Sequence, residues 1–219
     1  MRNCPLCAAG PLVLFTVLLS PSIAISADDL EECAQQFLAG DYQECIDSAA
    51  RAIQAGQRNE DWRIWHIRAL LATGSYPEAR EALDAVLGNY SSSVRLRLLG
   101  HDVYRRNGDV ERADRMLREI NQLVGRAPGR YSEPADRVAL GRAALLLGAE
   151  PRQVLEVFYD RVKKEHPKLR DVYLATGELA LSKHDFAVAA QAYQEGLKHF
   201  PDDADLHFGL AQEIGRAHV

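Results

Sequence analysis

A short polar turn recurs along the chain at a fixed interval. Glycines lie at positions 40, 74 and 108, each followed by Asp or Ser, and both separations are 34 residues. After each turn, small and apolar residues recur at spacings of three and four, which places them on one face of a helix. A fixed period of this length predicts a solenoid, in which each unit buries its apolar face only by stacking on its neighbours.

The composition supports helices and gives no sign of strands. The chain of 219 residues is 47% hydrophobic but only 7% aromatic, and Ala, Leu, Arg and Glu are abundant. These residues favour helices, and no run shows the alternation that is typical of a half-buried strand. The net charge is −5, so the chain lacks the excess of basic residues that is typical of nucleic-acid-binding proteins. The sequence therefore predicts an all-α protein that does not bind nucleic acid.

The clearest unit spans residues 170–203 and reads as two amphipathic helices around a "KHD" turn. Small residues stand where the two helices must approach closely, and bulky ones lie between them. Across this unit and the preceding one, the expected packing residues are Gly141, Gly177, Ala180, Ala189, Tyr193 and Pro201. Pro201 is expected to end the second helix, because proline cannot continue its hydrogen-bond ladder.

This pattern resembles the tetratricopeptide repeat (TPR) family, most closely through Tyr173, Gly177, Ala180, Phe186, Ala189, Tyr193, Gly196, Leu197 and Pro201. The resemblance implies a right-handed α-solenoid of about five antiparallel hairpins and a truncated sixth. The expected units are residues 28–58, 60–92, 94–124, 134–168, 170–203 and 204–212. The fourth unit is two residues longer between its Gly and its closing Pro than the fifth, and we expect a longer turn at residues 149–151.

The N-terminus has the order of a secretory signal peptide over residues 1–27. Arg2 precedes the apolar run "PLVLFTVLL", and small residues follow around positions 24–27. The run is too short to span a bilayer. The mature protein is therefore expected to be exported to a periplasmic or extracellular space, without membrane insertion. Cys4 and Cys7 would be removed with the signal peptide.

Two cysteines remain in the first unit. Cys33 and Cys45 are separated by 12 residues, as are Gly177 and Ala189 in the clearest unit. The correspondence places them at the closest approach of their two helices. They could be buried thiols, which behave as small apolar residues, but export makes a disulfide possible. We predict the disulfide.

The last residues, 213–219, are expected to be a non-native tail. "IGRAHV" can be encoded by a string that matches a widely used sequencing-library adapter, whose next triplet is a stop codon. The native chain would then continue beyond the truncated sixth unit. Sequencing the locus from genomic DNA would test this, because a native gene with the same codons and stop would contradict it.

No catalytic, metal or cofactor motif stands out. The seven histidines are scattered, and no nucleophile is matched with a base. A binding function is therefore favoured, since repeat solenoids present an extended concave surface. The candidate partner-binding residues on that surface are Arg68, Arg95, Asp102, Arg105 and Arg106.

Two interpretations of these charges remain open. They could form a solvated face with intrahelical pairs such as Asp102 with Arg106, which is the usual state of such faces. Alternatively, they could form a cationic groove that accepts an acidic peptide or a C-terminal carboxylate. Two functions also remain open. One is a non-enzymatic, exported scaffold that binds a protein or peptide partner, and the other is the substrate-docking arm of a larger exported enzyme.

Overall fold

The computed structural model describes residues 27–216, with side chains described for residues 29–212. The proposed signal peptide lies outside the described residues, apart from Ala27 at its boundary. The proposed tail is described only as helical backbone up to Arg216.

The described residues form an all-helical fold of five antiparallel hairpins followed by one helix. The helices are α1 (Ala27–Ala39), α2 (Tyr42–Gln54), α3 (Glu60–Ala72), α4 (Tyr76–Leu87), α5 (Val94–Arg106), α6 (Val110–Arg126), α7 (Pro134–Leu146), α8 (Pro151–Val154), α9 (Asp160–Glu165), α10 (Arg170–Ser182), α11 (Phe186–Leu197) and α12 (Ala204–Arg216). A π-helical turn, Leu155–Tyr159, joins α8 and α9 into one continuous helix. The predicted solenoid of stacked hairpins is confirmed.

The recurring glycines mark the ends of the first helices. Gly40, Gly74 and Gly108 have φ between +78° and +88°, and Gly148 and His184 take the same left-handed position in the fourth and fifth hairpins. In all five, the next N–H bonds to the carbonyl five residues earlier, as from Asp41 to Gln36. This motif satisfies carbonyls that a helix end leaves without a partner. The period of 34 is therefore the spacing of helix caps.

The fourth hairpin absorbs its two extra residues in two places. The segment from Gly141 to Glu150 is one residue longer than its equivalent in the fifth hairpin, from Gly177 to Asp185. The segment from Glu150 to Tyr159 is likewise one residue longer than that from Asp185 to Tyr193. The first extra residue lengthens the turn and the second lies in the π-helical turn, which accommodates one added residue. The expectation of a turn two residues longer was therefore wrong by one residue.

The first helices of the hairpins form an inner ring. Each first helix contacts the first helix of the next hairpin, in the order α1, α3, α5, α7, α10 and α12. Helix α1 also contacts α12. The second helices pack outside, each against its own partner and against the first helix of the next hairpin. The packing residues lie between the layers: Ala189 and Tyr193 are buried, and so are Gly141, Gly177 and Ala180. Helix α11 ends at Leu197, before the exposed Pro201, so the proline does not itself terminate it.

Candidate functional site: a charged cavity inside the helix ring

The inner ring encloses a cavity of about 520 Å³. Its walls come from all six first helices, from Phe37 in α1 to Asp205 in α12. A second cavity of about 720 Å³ adjoins it on the side of α7 and α10. The two share four lining residues, Leu98, Asp102, Arg142 and Glu178. Charged side chains dominate the lining of the first cavity, so the arrangement of these charges decides what it can bind.

An ion pair crosses the ring from the second hairpin to the fifth. Arg68 Nη2 donates to Asp171 Oδ2 at 2.8 Å, and both side chains are about a quarter exposed. Burial opposes ionisation of Asp171, but the charge and hydrogen bonds of Arg68 outweigh it and hold the pKa of this carboxyl well below its usual range. Arg68 is therefore already neutralised within the protein, although it lines the cavity as predicted.

Other arginines bind carboxylates on the neighbouring first helix. Arg95 pairs with Glu60 at 3.2 Å and also with Asp61, which lies 34 residues earlier. Arg170 binds Asp203 and Asp205 in the same way at the start of α12. These pairs join the N-terminal ends of adjacent inner helices. Arg95, a predicted partner-binding residue, therefore serves the stacking of the repeats.

The predicted intrahelical pair between Asp102 and Arg106 is not formed. Asp102 Oδ1 lies 3.1 Å from Nδ1 of the buried His101, while the Arg106 guanidinium lies over the Tyr76 ring, 5.7 Å from its centroid, in a cation–π contact. Asp102 and Arg106 both line the first cavity, whereas Arg105 is exposed and lies outside that lining. In the described part of the chain, Asp102 has no Arg or Lys within ion-pair distance.

The centre of the site is a pair that the sequence did not single out. Arg142 Nη2 lies 2.9 Å from Glu178 Oε2 where the two cavities meet. Arg142 Nε is buried without a hydrogen-bond partner among the described residues, and so is the hydroxyl of Tyr159, which lines the second cavity. Burial is the main cause that raises the pKa of Tyr159, and the charge of Glu178 adds to it. Only the equivalence of Gly141 with Gly177 could have pointed to this region from the sequence.

The structure brings Cys33 and Cys45 together as buried thiols. Their Sγ atoms are 3.2 Å apart and both residues are fully buried. The hydrogen bond to Cys33 and burial raise the pKa of the Cys45 thiol. The cysteines lie at the closest approach of α1 and α2, and the disulfide itself stays a prediction.

Within residues 29–212, no group of His, Cys, Asp and Glu side chains has the arrangement of a metal site. None of the helices described has the length and apolar character needed to cross a bilayer.

Asp171→Asn is expected to remove an acid-sensitive contribution to stability. The pKa of Asp171 is depressed in the folded state, so its contribution is complete above the unfolded value near pH 4 and is lost as pH falls below that value. We expect the variant to lose about 2 kcal/mol at pH 7, since a charged hydrogen-bonded pair is broken. The difference from wild type should shrink between pH 4 and pH 2. Urea unfolding at each pH measures it.

A matched control is Asp160→Asn, since Asp160 is exposed and pairs weakly with Lys163 at 3.6 Å. This variant should follow the wild-type pH profile within about 0.5 kcal/mol. A constant difference in the free energy of unfolding between wild type and Asp171→Asn from pH 7 to pH 2 would show that the ion pair does not lower the pKa of Asp171.

Comparisons with known proteins agree with the architecture. The tetratricopeptide repeat family profile matches residues 38–94 and 174–212. A thermophilic TPR protein of Thermus thermophilus is 19% identical, with a TM-score of 0.54 over 85% of this chain and 97% of that chain. A chain of the APC/C hetero-tetramer Cut9–Hcn1 is 14% identical to this chain. The two align with a TM-score of 0.52 over 87% of this chain and 36% of that chain. No curated protein matches the sequence.

These likenesses concern the fold alone, because both structures are below 25% identity. The profile covers part of the first hairpin, the whole second hairpin and most of the C-terminal units. The chain is a TPR-like α-solenoid that matches the tetratricopeptide repeat family over residues 38–94 and 174–212.

Proposed function

We propose that the protein is a non-enzymatic interaction scaffold that binds a peptide segment of a protein partner inside the helix ring. Proteins with the TPR fold generally act as protein–protein interaction scaffolds. The observation that carries the proposal is the cavity of about 520 Å³, which is lined by all six inner helices and by charged side chains from five of them. Several separate repeats contribute to one surface, which suits recognition of an extended chain.

The size of the cavity favours a short segment. Its volume lies within the roughly 300–1,000 Å³ that is typical of sites for small ligands. The ring is also closed by the contact between α1 and α12 and by the Arg68–Asp171 pair. A terminus or loop of a partner can enter such a space, whereas a folded domain cannot.

A peptide array tests this function. The full chain, labelled with a fluorophore, would be applied to immobilised hexapeptides of randomised sequence, and selected peptides would be measured by fluorescence polarisation. Ala72→Trp places a bulky ring at an exposed position on the cavity wall. We expect this variant to lose at least tenfold in affinity, because the ring occupies the space of the ligand.

The matched control is Ala187→Trp, at an exposed position of the outer helix α11. It should bind as wild type does. Equal loss in both variants, or no selective binding by the wild type, would contradict binding inside the ring.

We also propose that the scaffold is exported. The proposal rests on the order of basic, apolar and small residues in positions 1–27. N-terminal sequencing of the mature protein tests it, and an intact Met1 would contradict it.

Cys33 and Cys45 are expected to form a disulfide in the exported protein. The Sγ separation of 3.2 Å requires only a small shift to reach the bond length of about 2 Å. Two thiols would lose two electrons and two protons to an exogenous disulfide, which is reduced to two thiols. Because both sulfurs are buried, this exchange requires opening of the hairpin or must precede its closure. The bond would stabilise the first hairpin by about 3 kcal/mol in the chain-entropy model.

Intact mass after treatment with a thiol-alkylating reagent under denaturing, non-reducing conditions measures the bond. The expected result is no alkylation at either cysteine before reduction and two alkylations after it. Two alkylated cysteines in unreduced, exported protein would contradict the prediction.

A further inference from the structure

We propose that the junction of the two cavities binds a lysine or arginine side chain, so that the ligand of the ring is a basic peptide segment. This inference rests on the proposed function, because it assumes that a peptide enters the ring. It assigns the recognition to Asp102, Glu178 and Arg142, which line both cavities, and to Tyr159, which lines the second cavity.

The arginines of the ring offer little to an acidic ligand. Arg68 is held by Asp171 at 2.8 Å, Arg95 by Glu60 and Asp61, and Arg170 by residues at the start of α12. At these three arginines an acidic peptide would have to displace a carboxylate that the fold already supplies, while Arg106 lies over the Tyr76 ring instead. The pairing of these arginines therefore argues against the acidic ligand that was one alternative from the sequence.

The two carboxylates at the junction, unlike these arginines, are about half exposed. The Asp102 side chain is 53% exposed, and its ion-pair partner within the described residues is His101. The Glu178 side chain is 55% exposed although it contacts Arg142. Although the side chain reaches solvent within the cavity, partial desolvation by the surrounding helices raises the pKa of Glu178, and the charges of Asp171 and Asp102 add to this in spite of Arg142. A further positive charge beside these two carboxylates is therefore electrostatically favourable.

Two buried polar atoms near these carboxylates are an observation independent of the charges, because neither has a hydrogen-bond partner among the described residues. The Tyr159 residue is fully buried, yet its hydroxyl has no hydrogen-bond partner, and Arg142 Nε likewise lacks one. Buried polar groups are nearly always satisfied. Both atoms are covered by neighbouring side chains, so a ligand reaches them only when these side chains move apart. An ammonium or guanidinium group then donates to the Tyr159 oxygen, and a peptide carbonyl accepts from Arg142 Nε. A basic residue of a peptide carries both groups.

The test uses three fluorescent hexapeptide pools built on Gly, Ser and Ala. One pool contains two Lys or Arg residues, one contains two Asp or Glu residues, and one is uncharged. We expect the basic pool to bind the full chain most tightly. Asp102→Asn should weaken that binding by at least about tenfold, since a charge-assisted contact is lost.

Because the whole chain is acidic, a matched control must remove one negative charge elsewhere. Glu111→Gln does so at an 85% exposed position of the outer helix α6. It should leave the affinity for the basic pool within about twofold. Equal losses in Asp102→Asn and Glu111→Gln would show general attraction and overturn the assignment of the site.

Tyr159→Phe separates a binding role from a structural one. Removing an unsatisfied buried hydroxyl should not lower the melting temperature, but it should weaken binding of the basic pool severalfold. Unchanged affinity would overturn the role of Tyr159. Preference for the acidic or uncharged pool would overturn the basic ligand while the proposed function still holds. Failure of all three pools, and of the randomised array, would instead reject binding inside the ring.

Discussion

Gly177→Leu is expected to destabilise the protein by about 3 kcal/mol or more, because the fifth hairpin has no space for a side chain at that position. A Cβ atom built on Gly177 would overlap the ring of Tyr193, and a Cβ on Gly209 would overlap the other side of the same ring. Tyr193 is 2% exposed, so its ring cannot turn away without leaving the core. The loss would be measured by chemical unfolding monitored by circular dichroism.

The matched control is Gly125→Ala. Gly125 also lies in a helix, but a Cβ there meets no atom within 4 Å. This variant should be as stable as wild type or up to about 1 kcal/mol more stable, because alanine favours the helix. Wild-type unfolding of Gly177→Leu would show that the two helices are not in close contact at Gly177.

The same arrangement recurs in the fourth hairpin, where Gly141 faces the ring of Tyr159. Both glycines could be found in the sequence from the pattern of small residues. Tyr193 was singled out as a packing residue from its helical spacing, but Ala189 rather than Tyr193 was expected opposite Gly177. Tyr159 was missed because the π-helical turn shifts the register by one residue. Periodicity therefore predicts the helices and their inner faces, and it fails where a local change in helix type alters the spacing.

The candidate site was harder to predict for a different physical reason. The sequence pointed to Arg68, Arg95, Asp102, Arg105 and Arg106, and all of them except Arg105 line the first cavity. Their ionic partners could not be inferred, because Asp171 lies 103 residues from Arg68 and meets it only when the ring closes. Closure depends on the cumulative rotation between repeats, which no single repeat encodes. Charge balance in the cavity is thus a property of the assembled ring.

Asp203 has a role that could be predicted only in part from the sequence. An aspartate just before a helix is a typical cap, and Asp203 Oδ1 accepts from the N–H groups of Asp205 and Leu206 at 3.0 and 3.1 Å. The sequence did not reveal that the side chain is fully buried and also binds Arg170. One carboxylate therefore caps α12 and ties it to α10.

Arg170→Leu is expected to destabilise the protein by about 3–5 kcal/mol, because it leaves a buried carboxylate without its cation. Arg170 Nη2 lies 3.0 Å from Asp203 Oδ1, and the Asp203 side chain has no exposed surface. The double variant with Asp203→Ser should recover part of the loss, since serine keeps a helix cap but carries no charge. Chemical unfolding measures both, and hydrogen exchange should show the largest loss of protection in α12.

An exposed pair provides the control for this prediction. Arg161 and Glu165 are 2.8 Å apart, but their side chains are 59% and 48% exposed. Arg161→Leu should therefore change the free energy of unfolding by no more than about 1 kcal/mol. If Arg170→Leu were equally mild, or if the double variant were less stable than Arg170→Leu alone, the carboxylate of Asp203 would not be the source of the loss. The attachment of α12 would then rest on apolar packing around Leu206, which is fully buried.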